Sequence, residues 1–150
     1  MDDLPTLIRR LTDLEAIRDL VRRYAHYVWQ GQALNAVDLF AVDGLMDMGP
    51  DGVIKGRQNL RAIYAEKVGG DLLLHPFVHN HVIDYGPDDC GDVVEAAGTC
   101  YLDLRCVRDG QSLMGSGYYQ DVYVREQGVW KFRSRKLNMC YLAKPVDGWL

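Results

Sequence analysis

The chain has 150 residues, 48% of them hydrophobic and 25% charged, which is enough for one domain with a real core and too few for two. With 17 Lys and Arg against 21 Asp and Glu the formal net charge is −4, so the chain carries no electrostatic footprint for a nucleic acid. The opening MDDLPTLIRRLTDLE is acidic where a secretion signal is basic, and no run approaches the roughly 20 apolar residues of a membrane span, so a cytoplasmic protein without a membrane partner is expected.

In chain order, Leu7, Ile8, Leu11, Leu14, Ile17, Val21, Tyr24, Ala25 and Val28 recur at helical spacing and predict an amphipathic helix. Thr12 and Glu15 have the spacing of a capping box, so the long helix is expected to start there, after a shorter turn opened by Pro5, and to stop at Gly31. Asn35 can cap a second, short helix through Phe40. Gly44 to Gly49 and Gly52 to Gly56 read as a hairpin, and Leu60, Ile63 and Tyr64 return to helical spacing before Gly69-Gly70.

From Leu72 onward the pattern alternates with period two. Ala96, Gly98, Cys100, Leu102, Leu104 and Cys106 share one face of a half-buried strand. Asp109-Gly110 and Gln127-Gly128 are turn signals, so residues 93–141 predict a three-stranded antiparallel meander, joined to a strand over Phe77 to Tyr85 through Gly86-Pro-Asp-Asp89. Helices gathered first and strands last imply an α+β domain spanning 1–150. Cys90, Cys100, Cys106 and Cys140 have no metal or redox spacing and read as reduced thiols.

Chemistry concentrates in His75-Pro-Phe-Val-His79-Asn80-His81. Alternation puts the three histidines on one side of a strand, and three readings stay open. His79 and His81 could aim at one metal but lack a third ligand; a histidine could serve as a proton-transfer base; or all three could simply be hydrogen-bonded into a sheet. Lys131, Arg133, Arg135 and Lys136 make a basic strand segment whose usual reading is a solvated edge. No glycine-rich phosphate loop or nucleophile elbow is present, so no cofactor is expected.

Leu14-Glu-Ala-Ile-Arg-Asp-Leu20 with Tyr24, Asp38-Leu-Phe40, Lys55-Gly56, Asn80 with Ile83, Gly117-Tyr-Tyr119, Asp121, Tyr123, and Gly128-x-Trp-Lys-Phe132 followed by Arg135 succeed one another along nearly the whole chain. In that order and spacing they resemble the SnoaL-like domains of the scytalone dehydratase and hexachlorocyclohexane dehydrochlorinase kind. The resemblance implies the nuclear-transport-factor-two-like fold: a conical barrel in which N-terminal helices pack on a curved, mostly antiparallel sheet and enclose one apolar pocket for a small ring compound. It further implies a strand histidine as base, a helix aspartate that orients it, and a late-strand arginine, whose position Arg135 matches.

Two positions depart from that pattern. Trp29 stands where the resemblance expects the helix aspartate, and an indole cannot accept the imidazole proton. Pro76 stands where it expects the histidine, so His75 takes the place only if a bulge shifts the register, with His79 as competitor. A tyrosine hydroxyl, a backbone carbonyl, Asp47 or Asp121 could replace the lost aspartate. Alternation also sets Arg135 opposite Trp130 and Phe132, so a pocket position for it needs a bend.

The expectation is therefore a cofactor-independent lyase of dehydratase type, or an isomerase, acting on a small apolar ring compound without metal. His75 or His79 is the expected base, Arg135 the electrophilic partner, and Tyr24, Trp29, Met46, Met48 and Tyr119 the rest of the pocket. The alternative is a non-catalytic ligand-binding or assembly module, like the small subunit of ring-hydroxylating dioxygenases. Tyr101 and Tyr123, assigned to the uncovered sheet face, predict a homo-dimer or homo-trimer.

Overall fold

The first helix, α1 (Leu4–Trp29), is one continuous element of 26 residues in the computed structural model, which describes residues 3–68, 72–86 and 93–147. Asp3 caps it by accepting from the Thr6 N–H at 2.9 Å, and Pro5 sits in the first turn, where a missing N–H costs nothing. No break occurs at Thr12, whose hydroxyl donates to the Ile8 carbonyl at 2.7 Å instead of capping a new start. The chain leaves the helix through Gly31, at φ 69°.

Next come α2 (Ala33–Val37), β1 (Phe40–Asp47), β2 (Val53–Lys55), α3 (Arg57–Lys67), β3 (Leu73–Asp84), β4 (Glu95–Arg108), β5 (Gln111–Glu126) and β6 (Val129–Ala143). The expected meander is β4-β5-β6, with Asp109-Gly110 and Gln127-Gly128 at its turns, all four at positive φ. Gly69-Gly70, the Pro87 to Asp89 turn and Cys90 lie outside the described residues; Cys100 and Cys106 are buried thiols, and Cys140 is an exposed one.

The strands form a single sheet in the order β2-β1-β6-β5-β4-β3, antiparallel except where β1 runs parallel to β6. The sheet curves over the helices but does not close: β2 and β3 remain its two edges, so the cone expected from the resemblance is an open one. Its inner face, with Ala96, Cys100, Leu102, Tyr119 and Phe132, meets Ile17, Leu20, Val21, Tyr24 and Val28 of α1 in one core. Tyr123 belongs to that inner face and is wholly buried, which corrects its assignment to the uncovered side; Tyr101 does lie exposed there.

Two β-bulges decide which side chains enter the interior. Ser134 stands opposite Val122 and Phe132 opposite Tyr123, so Arg133 is an extra residue, and alternation resets between Phe132 and Arg135. That is the bend Arg135 needs to join Trp130 and Phe132 inside. In β3, His79 pairs with Tyr101 and Val82 with Thr99, with Asn80 at φ 50° between them. His81 thereby leaves the face it was expected to share with His75 and His79.

Asp13 ties α1 to the far end of the sheet. Its carboxylate accepts from the Tyr85 hydroxyl, from Trp130 Nε1 at 2.9 Å and from Arg125 Nη2 at 2.6 Å. Burial alone would raise its pKa, but the three donors outweigh that cost and hold it below the ordinary 3.8. Asp13→Ala should therefore cost roughly 3 kcal/mol in urea unfolding, because it strands a partly buried arginine and two buried donors, the Tyr85 hydroxyl and the Trp130 indole N–H. The contribution of the carboxylate is complete above the unfolded value of 3.8 and is lost as pH falls through the depressed folded value. The stability gap between wild type and Asp13→Asn should accordingly narrow in acid.

Candidate active site

With the bulge at Arg133 in place, Arg135 of β6 stands directly opposite Asp121 of β5 on the inner face, and both are buried, at 0% and 3% exposure. The guanidinium donates from Nε to Asp121 Oδ1 at 2.8 Å and from Nη2 to Oδ2 at 3.0 Å, a two-pronged pairing. Three rings surround it, with the guanidinium carbon 3.7 Å from the Tyr119 centroid, 4.4 Å from that of Phe132 and 4.6 Å from that of Tyr24. Burial works against the charged form, but the charge and hydrogen bonds of Asp121 outweigh it and push the arginine's pKa up. Its Nη1 is buried and has no hydrogen-bond partner.

Tyr123 extends this pair toward the helix. Its hydroxyl donates to Asp121 Oδ2 at 3.1 Å and lies 2.8 Å from His81 Nε2. A phenol has one proton, here spent on the carboxylate, so the phenol oxygen accepts from His81 Nε2–H and the lone pair of the imidazole sits on Nδ1. Burial, reinforced by Asp121, holds the Tyr123 proton in place by raising its pKa far above the ordinary 10.0. Desolvation, with smaller contributions from Arg135, Arg18 and Arg22, lowers His81 to about 4 against the pull of Asp121. Near neutrality His81 is an uncharged imidazole in one tautomer.

The structure brings Tyr24, Met46, Tyr119 and Arg135 into this interior, with Met48 at its margin. Tyr24 shares a 2.7 Å hydrogen bond with Tyr64 of α3. It does not bring in Trp29, His75 or His79. Trp29, 38% exposed, stacks face to face on His75 with centroids 3.7 Å apart, and Phe77 meets the indole edge-on. His79 lies on the outer face, 3.2 Å from the Asp103 carboxylate. Because the bulge sends His79 and His81 to opposite faces, the two cannot share a metal ion, and among the described residues no group of three or more His, Cys, Asp or Glu could hold one.

The family profile of the SnoaL-like domain matches residues 9–136. The chain belongs to the SnoaL-like domain family. No curated protein matches the sequence of this SnoaL-like domain. Solved structures share its fold. A candidate scytalone dehydratase from Novosphingobium aromaticivorans superposes with a TM-score of 0.77 at 19% identity, over 94% of this chain and 97% of that one. The hexachlorocyclohexane dehydrochlorinase LinA-type3 from Novosphingobium barchaimii gives 0.78 at 20% identity, over 91% and 92%. A nuclear-transport-factor-two-like protein with a cystatin-like fold, also from N. aromaticivorans, gives 0.71 at 21% identity, over 93% and 92%.

In this SnoaL-like domain the buried pair makes a test of its own. Asp121→Ala leaves a guanidinium uncompensated in an aromatic shell and should destabilise by about 3–5 kcal/mol, whereas the double replacement Asp121→Leu with Arg135→Met should recover much of the loss. Thermal melts of both variants check this; equal losses would mean that packing, not charge, sets the cost.

Proposed function

We propose that this SnoaL-like domain is a cofactor-independent lyase or isomerase that takes a proton from a small, largely apolar ring compound, with His81 Nδ1 as the base. The observation that carries this reading is the unbroken line of hydrogen bonds from His81 through Tyr123 to Asp121 and Arg135. It fixes the tautomer, leaves a free lone pair, and gives the nascent imidazolium a carboxylate one hydroxyl away. Asp121 thus does from the sheet what the resemblance expected of an aspartate on the helix. The names of two fold neighbours, a dehydratase and a dehydrochlorinase, denote eliminations.

In the proposed step the C–H bond breaks to Nδ1, its electron pair becomes the new double bond, and the leaving group departs with its own pair. The imidazolium then returns its proton to the leaving group or to water. In an isomerisation the proton returns to another carbon. An imidazole titrating at about 4 is free to accept a proton at neutral pH but is a weak base, which suits C–H bonds already acidified by a neighbouring unsaturated group.

One observation favours the other reading, a binding module without turnover: Trp29 holds the place of the helix aspartate and is stacked on His75. Two probes separate them: deuterium exchange into cyclohexanone beside its carbonyl, and loss of water from 3-hydroxycyclohexanone to the enone. Wild type should catalyse one or both, and His81→Asn should lose at least about 100-fold in rate, the scale of a general base. His75→Asn and His79→Asn should leave the rate unchanged. The acid limb of the rate profile should fall near pH 4, not at the ordinary imidazole value of 6.5. No catalysis by wild type, or the same rate in His81→Asn, ends this reading.

A further inference from the structure

We propose that the face-to-face stack of Trp29 on His75 is the latch of a seam between α1 and β3, and that the seam opens at that end to let a small ring compound into the interior. This rests on the interior being a ligand site, whether it turns the ligand over or only binds it. Tyr24, Cys100, Tyr119, Tyr123 and Arg135 are each 5% exposed or less, so a ring reaches their side of the sheet only when a boundary of the core moves. The boundaries are not equally tied. β1, β4, β5 and β6 each pair with a strand on both sides, and α3 is held by the Tyr24–Tyr64 hydrogen bond, by Arg57 on the Phe40 carbonyl and by Arg61 on Asp38. β3 pairs with β4 alone, and its ladder breaks between His79 and Val82. Among the described residues no hydrogen bond crosses from α1 to β3 itself; the nearest is that of Asp13 with the Tyr85 hydroxyl, one residue past the end of the strand.

Two fastenings at opposite ends therefore hold the seam. At one, the Asp13 carboxylate grips Tyr85, Trp130 and Arg125 through charge-assisted hydrogen bonds, and this end is the hinge. At the other, the indole of the last residue of α1 lies 3.7 Å from the imidazole at an interplanar angle of 6°, with the Phe77 ring edge-on at 5.8 Å. Between them Leu74, Val78 and Ile83 of β3 meet the core through apolar contact, which has no preferred direction to hold the surfaces in place. A single aromatic stack is the weaker fastening of the two. Trp29 is also 38% exposed, so its ring can leave the imidazole without stranding a buried polar group. The latch governs entry and not the proton step, so turnover at saturating ligand is the same with or without it.

Cys100 reports on the seam. Its thiol lies 3.7 Å from the His79 carbonyl, behind the bulge, and burial pushes its pKa up to about 11, so it reacts only when it is exposed. The rate at which methyl methanethiosulfonate, small and uncharged, labels Cys100 at neutral pH, followed peptide by peptide by mass spectrometry, measures opening. Trp29→Ala should speed that labelling about 3- to 10-fold, the change in open population that the loss of one aromatic pair allows. Trp29→Phe, which can still stack, should stay near wild type. His75→Ala should match Trp29→Ala, and the double variant should go no further, because both substitutions remove the same contact. Cys140, already exposed, calibrates the reagent in every variant. Opening of the seam alone leaves the Cys100 rate nearly flat in low urea, whereas global unfolding makes it climb steeply. An unchanged rate in Trp29→Ala, a Trp29→Phe as fast as Trp29→Ala, additive effects of the two alanines, or a steep climb with urea overturns the proposal. The measurement uses no substrate, so its failure leaves the base at His81 untouched, and loss of the base leaves the latch untouched.

Discussion

A guanidinium with no solvent contact persists only where its charge is matched, and Arg135 is matched by one residue, Asp121. That requirement reaches through the sheet. If β5 and β6 slipped by one residue, one partner would turn outward and the other would stay buried and unpaired, so the pair locks the register of the two longest strands. It makes the bulge at Arg133 obligatory, since without it Arg135 would face solvent. The carboxylate then organises Tyr123 and, through it, His81, so the polar architecture of the interior follows from one charge that has to be neutralised.

Local sequence periods carried most of the fold. The stripe on α1 from Ile17 to Val28, the turn dipeptides at residues 109–110 and 127–128, and the alternation from Ala96 to Cys106 all stand in the structure, whereas Leu7, Ile8 and Leu11 at the start of the stripe lie exposed. The site was legible only in part, because alternation is a rule about unbroken strands and both critical strands are broken by bulges. Arg135 is legible through the family resemblance, and alternation alone sets it on the wrong face. Simple alternation groups His81 with His75 and His79 because it does not see the bulge at Asn80, whereas Tyr123 has the parity of Tyr119 along an unbroken β5, so its inner position is legible from alternation alone. Asn80 was the available clue: asparagine tolerates the left-handed conformation better than most residues, and between two histidines in a strand it marks the place where a bulge can sit.

Family membership and chemistry separate at Trp29. A fold that hosts many activities keeps its frame while the groups on it change, and in the proposed reading the carboxylate that serves the histidine stands on the sheet and acts through the Tyr123 hydroxyl, where the resemblance expects one on the first helix. The indole left in its place is not idle: it stacks on His75 and packs against Phe77, both on β3.

The bulge in β3 also bears on how the molecule behaves among its own copies. β3 is a sheet edge of 12 residues, and a flat edge of that length is a template on which another chain can add a strand and begin to polymerise. Pro76 removes one N–H from the strand, Asn80 kinks the ladder a few residues later, and the Trp29 ring stacks on the His75 side chain. Between Leu73 and Asp84 these interruptions divide the edge into runs of only a few residues. The irregularity that turns one imidazole inward is also what keeps this border from growing.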